Sequence, residues 1–274
     1  MADSFRLAEY LERLDIRGPV SPDLVTLKAL HAAHVDAIPF ENLDPFLGRP
    51  VRLDPAALQE KLVRRRRGGY CFEQNALFKA ALEVIGFKVT GLAARVRWRS
   101  SPESPLGPRS HMLLKVDLGD GAYLADVGFG SCLLDQPLPL VIGVEHPSPM
   151  GRFLLTETAG GYLLHSKQSA GWRTAFLFDL SPQFPADYEV ANWYTSTSPA
   201  APFLRTLIME RVTSDKRFKL VDQRFTIEND KGELLEERTL DSAEDLGRVL
   251  EESFRITPPV VVSSIFARFA ASDP

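Results

Sequence analysis

The stretch RGGYCFEQN, residues 67–75, places Cys71 at the start of an apolar helical pattern that ends at Gly86. The apolar residues of this pattern repeat on one helical face: Phe72, Ala76, Leu77, Ala80, Ala81, Val84 and Ile85. A cysteine at a helix N-terminus lies at the positive end of the helix dipole, which favours the thiolate. The alternative is a packing role, because free cysteine is among the residue types most often buried. Position alone leaves both interpretations open.

Two glycines, Gly68 and Gly69, lie just before this cysteine. Glycine permits sharp backbone turns and close approach because it has no Cβ atom. We interpret the pair as an opening through which a substrate approaches the thiol.

The segment before the motif is predicted to be helical. Apolar residues at helical spacing follow Ser4, which can cap the first helix, and also follow the Ser21-Pro22 and Asp54-Pro55 pairs. A polar residue followed by proline is typical of a helix start. Together with the cysteine helix, these segments predict a helical bundle over residues 1–87. His31 and His34 lie in the second helix as packing or surface residues.

From Lys88 the pattern changes to short, partly alternating apolar runs separated by Gly, Pro and Asp, which are strand signals. The runs are KVTGLAARVRW, HMLLKVDL, AYLADVGFG, RFLLTETAGGYLLHSK and TAFLFDL. They predict an antiparallel sheet or barrel within residues 88–195. A Ser/Thr/Pro-rich link, YTSTSPAAP, follows the barrel.

Residues 196–274 mix strand and helix patterns. A hairpin pattern, FKLVDQRFTIE-NDKG-ELLEERTL, precedes a helix that begins at Asp241 or Ser242 and runs to Phe254. Helices, then strands, then a mixture of both predict an α+β protein with three parts.

Composition narrows the classes of function. The 274 residues carry a formal charge of −4 and 45% apolar residues, which gives no global electrostatic reason to bind nucleic acid. The sequence contains no run of 18 apolar residues without a charge, which is the pattern of a membrane span. Its N-terminal residues lack the pattern of a signal peptide, so we expect a cytoplasmic protein. The two cysteines do not amount to a disulfide framework.

A thiol nucleophile needs a base, and the base needs an orienting group. His111 is the candidate base because it opens the apolar strand HMLLKV after a Pro/Ser-rich loop; the alternative is a strand-end histidine with no chemical role. Asp126 is the candidate orienting group because an unpaired carboxylate in the apolar run AYLADVGFG is costly. The alternative for this carboxylate is pairing with backbone N–H groups.

Hairpin geometry tests the pairing of these two residues. A tight turn in Gly119–Gly121 places them on the same face of the sheet. A two-residue turn at Asp120-Gly121 leaves them four residues out of register, about 13 Å along the strand. Contact then requires a longer loop, a bulge or a strong twist.

Other kinds of site find little support. The cysteine and histidine spacing predicts no metal site, and neither a Walker A sequence nor a GxGxxG motif is present. Gly128-Phe129-Gly130 is too short to be a phosphate loop, and Cys132 is interpreted as structural. The run Arg64 to Arg67 is typical of a solvated helix end, although its last arginine can point inward.

Four blocks together resemble the arylamine N-acetyltransferase family. They are PFENLD at 39–44, RGGYCFEQN at 67–75, SHMLL at 110–114 and DVGFG at 126–130, in the family's order and spacing. The resemblance implies a helical bundle that carries the cysteine, a central antiparallel β-barrel and a C-terminal α/β lid, with domains at 1–87, 88–195 and 196–274. It also implies a cysteine-protease-like core in which Cys71, His111 and Asp126 form the catalytic triad.

The resemblance carries further roles to individual positions. Phe40, Trp98 and Phe129 are expected to line the acceptor pocket. Ser110, Gly128, Gly130 and Phe203 are expected near the thiol arm of CoA. Glu41 and Arg67 are expected to form a buried ion pair that braces the cysteine helix.

The implied reaction is a ping-pong acetyl transfer, with acetyl-CoA as co-substrate and no permanently bound cofactor. Cys71 accepts the acetyl group and passes it to an arylamine, a hydrazine or an N-hydroxyarylamine. Three alternatives remain open: a papain-like or transglutaminase-like thiol hydrolase, a natural-product amide synthase with the same triad, and a non-catalytic binding protein. The sequence indicates neither the physiological acceptor nor an oligomeric state.

Overall fold

The computed structural model describes residues 5–101 and 103–270, so the predicted cap Ser4 lies outside the described residues. The helices and strands follow the predicted helical, β and mixed order. The helices are α1 (Leu7–Arg13), α2 (Leu24–Ala37), α3 (Leu43–Phe46), α4 (Pro55–Leu58), α5 (Cys71–Ile85), α6 (Pro185–Thr197), α7 (Ala243–Arg248) and α8 (Val262–Ala270). Helices α4 and α7 continue as π-helical turns, Gln59–Arg64 and Val249–Ser253, and a 3₁₀ turn spans Pro202–Leu204. No helix in this described part is long and apolar enough to cross a bilayer.

The strands form two sheets, and their bounds are β1 (Phe40–Glu41), β2 (Lys88–Val96), β3 (His111–Leu118), β4 (Gly121–Ala125), β5 (Leu138–Pro139), β6 (Glu145–Ser148), β7 (Gly151–Thr158), β8 (Gly161–Gln168), β9 (Gly171–Phe178), β10 (Ile208–Val212), β11 (Lys216–Val221), β12 (Arg224–Asn229) and β13 (Leu234–Thr239). The larger sheet has the order β5-β4-β3-β2-β9-β8-β7-β6 and forms a nearly closed antiparallel barrel. The predicted α+β class and central barrel are confirmed.

Helix α5 begins and ends where the sequence predicts. It starts at Cys71, and the backbone N–H of Tyr70 just before it donates to the Glu73 carboxylate at 3.1 Å. Gly86 ends the helix with φ +105°, a left-handed conformation that glycine adopts readily. The predicted start of α2 at Ser21-Pro22 is displaced, because the Asp23 carboxylate accepts the Thr26 N–H at 2.8 Å and the helix begins at Leu24.

The hairpin of β3 and β4 turns one residue earlier than the sequence analysis assumes. Leu118 pairs with Gly121, so the turn consists of Gly119 and Asp120 rather than Asp120 and Gly121. This register aligns Asp126, which follows the last residue of β4, with a position two residues from His111 instead of four. The separation along the strand falls to about 7 Å.

The smaller sheet joins the N-terminal motif PFENLD to the last third of the chain. Its order is β1-β10-β11-β12-β13, and Phe40 of β1 pairs with Glu210 of β10. Leu43 and Phe46 of α3 pack with α7 and α8 in one apolar cluster. The PFENLD segment, which belongs to the predicted helical bundle, therefore shares a sheet with the predicted lid.

Two predictions for the second half of the chain are wrong. Residues Tyr194–Thr197 of the predicted link form the last turn of α6, which the sequence analysis did not identify. The run FKLVDQRFTIE is not one strand, because it turns at Asp222, which has φ +52°, and divides into β11 and β12. The domain boundaries at 87/88 and 195/196 stay predictions.

Candidate active site

Cys71 is the first residue of α5 and lies beside the start of β3. Its side chain is buried, with 4% of the residue exposed. The sulfur lies 3.7 Å from the carbonyl oxygen of Ser110, the residue that precedes His111. The helix start and the strand start thus bring the predicted nucleophile and the predicted base together.

His111 and Asp126 are in direct contact. The Nε2 atom of His111 lies 2.6 Å from the Asp126 Oδ2 atom, and both side chains are buried. Residues on opposite strands that are offset by two positions have Cβ atoms roughly 7 to 8 Å apart, which a histidine and an aspartate can bridge. The one-residue shift of the turn therefore explains a contact that the assumed register did not allow.

The surroundings of this pair fix its charges. Burial disfavours the imidazolium, but the adjacent Asp126 carboxylate outweighs burial and raises the pKa of His111. Burial also disfavours the carboxylate, yet His111, Asn75 and the Gly128 N–H hold the pKa of Asp126 below its ordinary value. The Cys71 thiol adds to the shift at His111. The pair is therefore an imidazolium and a carboxylate at neutral pH.

Asn75 holds the Asp126 carboxylate in place, and the sequence analysis gave it no role. Its Nδ2 donates to Asp126 Oδ1 at 3.0 Å and to the Met112 carbonyl at 2.8 Å, and its Oδ1 accepts the Val127 N–H at 3.1 Å. The Gly128 N–H donates to the same Asp126 oxygen at 3.0 Å. Asn75 lies one helical turn after Cys71 in RGGYCFEQN, so the spacing i, i+4 is the sequence signal for it.

His31 also contacts Asp126, but through the backbone. Its Nε2 accepts the Asp126 N–H at 3.3 Å. Burial lowers the pKa of His31 to about 4, so the imidazole is neutral and can accept. The surface alternative for His31 and His34 is wrong, because both are fully buried. Helical spacing alone gives no signal that His31 reaches the strand.

Aromatic rings enclose the base. The Phe129 and Phe176 rings lie 5.0 Å and 4.9 Å from the His111 ring, measured between centroids. Trp98 contacts Phe129 at 6.1 Å, so two of the predicted acceptor-pocket residues form one wall. A second pair, Phe40 and Phe203, is in contact at 6.0 Å. Of these rings, Phe129 and Phe176 cover the His111 imidazole, and His111 is 2% exposed.

The glycines near the thiol pack tightly, which changes the interpretation of Gly68 and Gly69 as a substrate opening. A Cβ atom at Gly68 would lie 2.2 Å from the Pro39 oxygen, and one at Gly69 would lie 2.8 Å from the Glu73 carboxylate. At Gly128 it would lie 2.7 Å from the Cys71 Cα. These glycines let backbone segments meet beside α5.

A buried ion cluster lies behind the start of α5. Arg67 Nη2 lies 2.6 Å from the Glu41 carboxylate, so the two residues form the expected pair. Lys61 extends it, with its Nζ 2.6 Å from both the Asp44 and the Glu73 carboxylates. The cluster connects β1, α3, the π-helical turn and α5. Its other three members, Lys61, Asp44 and Glu73, were not predicted from the sequence.

We predict that Arg67→Ala lowers both folding stability and transfer rate. The change leaves the Glu41 carboxylate buried without its partner, which typically costs about 3 to 5 kcal/mol. Arg64→Ala is the matched control, because the Arg64 side chain is half exposed in its pair with Glu9 and its loss is expected to cost about 0.5 kcal/mol or less. Urea unfolding of both variants measures the difference. Equal unfolding free energies would contradict the bracing role.

Comparisons with known proteins agree with this geometry. The model of the N-acetyltransferase family matches residues 23–260. The arylamine N-acetyltransferase of Mycobacterium tuberculosis is 42% identical over 217 residues, covering 78% of this chain and 77% of the relative. That of Escherichia coli K12 is 36% identical over 249 residues, covering 90% and 88%.

Solved structures give the same result. The arylamine N-acetyltransferase from Salmonella typhimurium superposes with a TM-score of 0.91 at 34% identity and covers 97% of this chain and 98% of its own. The Mycobacterium marinum arylamine N-acetyltransferase in complex with CoA has a TM-score of 0.88 at 33% identity, with the same coverage of 97% and 98%.

Proposed function

Because the chain belongs to the arylamine N-acetyltransferase family and is an acyltransferase, we propose that it moves an acetyl group from acetyl-CoA through a Cys71 thioester to an arylamine, an arylhydrazine or an N-hydroxyarylamine. The observation that supports this most is the buried contact of His111 with Asp126 beside the Cys71 thiol. In this proposal Cys71, His111 and Asp126 are the catalytic residues.

The first half-reaction follows from the charges of the pair. His111 uses Nε2 for Asp126, which leaves Nδ1 to face the thiol, and as an imidazolium it stabilises the Cys71 thiolate. The thiolate attacks the carbonyl carbon of acetyl-CoA, a new C–S bond forms, and the C–S bond to CoA breaks. The leaving CoA thiolate takes the proton from His111 and departs as the thiol.

The second half-reaction restores the enzyme. The neutral amine attacks the Cys71 thioester, and His111, now neutral, takes the proton from the amine nitrogen. The bond between carbonyl carbon and Cys71 sulfur breaks, so the thiolate and the imidazolium are regenerated and the amide leaves. Asp126 keeps the imidazole in one orientation and stabilises its charge in both steps.

The pocket roles follow the positions of the aromatic and glycine residues. We assign Trp98, Phe129 and Phe40 to the acceptor pocket, since flat apolar rings suit an aromatic amine. The Mycobacterium marinum relative was solved with CoA. We place the thiol arm of acetyl-CoA beside Ser110, whose carbonyl oxygen lies near the Cys71 sulfur, and beside Gly128, Gly130 and Phe203.

The test is the acyl-enzyme itself. Incubation with acetyl-CoA and no acceptor is expected to add the mass of one acetyl group, located on Cys71 by peptide mapping. Addition of an arylamine is expected to discharge the adduct and to release an equal amount of the acetylated amine. A hydrolase would instead release acetate without an acceptor, and the absence of any adduct before amine is added would overturn the ping-pong order.

A further inference from the structure

A cavity of about 840 Å³ lies on the barrel and has no residue of the triad in its wall. One side consists of residues 97–101 and Leu106, which follow β2, and the other consists of residues of β8 and β9 with the end of β7. Its size falls in the range of small-molecule sites, roughly 300 to 1,000 Å³. None of its lining residues carries a carboxylate.

Three arginines line the cavity, and two of them have no carboxylate partner within the described part of the chain. Arg97 donates to the carbonyl oxygens of Ser101 and Ser104, so it holds the loop that forms one wall. Arg99 and Arg173 are exposed, and among residues 5–101 and 103–270 neither makes a side-chain hydrogen bond or an ion pair. Arg99 acts electrostatically on Asp222 without pairing with it. The cavity is therefore electropositive.

Two tryptophans supply flat apolar surface next to these charges. The Arg173 guanidinium lies 5.1 Å from the centroid of the Trp98 ring. Trp172 is 39% exposed, and the Lys167 ammonium lies 5.3 Å from its ring centroid. An indole surface stacks with another aromatic ring, and a guanidinium pairs with a carboxylate or phosphate through two parallel hydrogen bonds. A small molecule that carries both an aromatic ring and a carboxylate or phosphate matches the indole surfaces and the guanidinium groups together.

We propose that this cavity binds an anionic aromatic molecule, with its ring against Trp98 and Trp172 and its negative charge at Arg99 and Arg173. Two sources share this chemistry, an aromatic carboxylate and a phosphorylated nucleoside. Binding here does not require acetyl transfer, because Cys71, His111 and Asp126 lie outside the cavity wall. Trp98 is shared with the proposed acceptor pocket, so Arg99 and Arg173 are the residues that distinguish this cavity from that pocket. Trp98 also contacts Phe129, so an occupied cavity fixes one side of the aromatic wall near His111.

Isothermal titration without acetyl-CoA tests the proposal. The probes are 2-naphthoate and adenosine 3′,5′-bisphosphate, each with a neutral counterpart, 2-naphthamide and adenosine. One of the two anions is expected to bind at least about tenfold more tightly than its neutral counterpart, because a charge-assisted hydrogen bond is worth about that much. Preferential binding of 2-naphthoate identifies an aromatic carboxylate as the ligand class. Preferential binding of adenosine 3′,5′-bisphosphate identifies a phosphorylated nucleoside.

Variants at the cavity locate the binding. Arg173→Gln and Arg99→Gln are each expected to weaken the preferred anion by about tenfold. Arg152→Gln is the control, because Arg152 is an exposed arginine of β7 that pairs with Glu145 and does not line the cavity. Thermal unfolding checks that the exposed substitutions leave the fold intact. Equal binding of anions and neutral counterparts, or anion binding unchanged in both arginine variants, would overturn the proposal while leaving the Cys71 adduct unaffected.

Discussion

The Cys71→Ser variant is expected to lose acetyl transfer by about 10⁴-fold or more while it keeps its fold. A serine hydroxyl needs a neutral base to remove its proton before attack. His111 cannot act in that way at neutral pH, because the Asp126 carboxylate raises its pKa and keeps it protonated. The native thiol avoids this requirement, since the imidazolium stabilises the thiolate as an ion pair.

The second cysteine provides the matched control. Cys132 is also buried, and burial raises the pKa of its thiol, so it stays neutral and unreactive. Cys132→Ala is expected to retain transfer and to lose about 1 kcal/mol of stability through the smaller side chain. Initial rates with acetyl-CoA and an arylamine measure both variants. Transfer by Cys71→Ser within tenfold of the native protein would remove Cys71 from the mechanism.

Local sequence patterns predicted the elements whose signals lie within one segment. Helix α5 has its start and its terminal glycine in a single stretch, and both agree with the structure. Its predicted apolar face agrees only in part, because Val84 is exposed whereas Phe78 and Leu82 are buried. Strand β1 escaped the prediction because Phe40 and Glu41 pair with residues nearly 170 positions later, and only two residues take part. Helix α6 escaped because its exposed face carries Val190 and Trp193, which conceals the amphipathic pattern.

The same limit applies to the site. The residue types of the triad were predictable, because a thiol nucleophile needs a base, the base needs an orienting group, and a buried carboxylate needs a partner. The contact of His111 with Asp126 depended on the position of the hairpin turn. Because glycine occurs at both 119 and 121, the sequence does not indicate which two residues form that turn. Asn75 and His31 were missed because their partner lies on another element, where hydrogen bonds between helix and strand leave no periodic signal.

Asp126→Asn is expected to lower kcat/KM by about 10³- to 10⁴-fold without a loss of fold. Oδ1 of Asp126 accepts hydrogen bonds from Asn75 and from the Gly128 N–H, so the amide oxygen of the variant takes that position. The amide NH₂ then faces His111 Nε2, which lies 2.6 Å from the second carboxylate oxygen in the native protein. Nε2 must accept, and the proton of a neutral imidazole moves to Nδ1, where it blocks proton transfer from the acceptor amine.

A carboxylate on the same hairpin serves as the control. Asp117 lies on β3 and pairs with Lys115, away from the triad, so Asp117→Asn is expected to keep kcat/KM within about threefold. Nitrogen NMR of the imidazole ring separates the two cases. It is expected to show protonated His111 at neutral pH in the native protein and in Asp117→Asn, and a neutral ring with the proton on Nδ1 in Asp126→Asn.

The pH dependence of folding stability is an independent test of whether Asp126→Asn changes the charge of His111. The folded-state pKa of His111 lies above its unfolded value near 6.5, so its contribution is fully present below pH 6.5 and is lost as pH rises through the folded-state pKa. In Asp126→Asn, His111 stays buried but has no adjacent carboxylate, so its folded-state pKa falls below 6.5. Protonation of His111 then destabilises the folded protein instead of stabilising it. Measured in a Cys71→Ser background, in which no thiol titrates at this site, the difference in unfolding free energy with and without Asp126→Asn is therefore expected to grow as pH falls from about 9 to about 6. Urea unfolding across this range measures it, and a difference independent of pH would mean that Asp126 does not set the charge of His111.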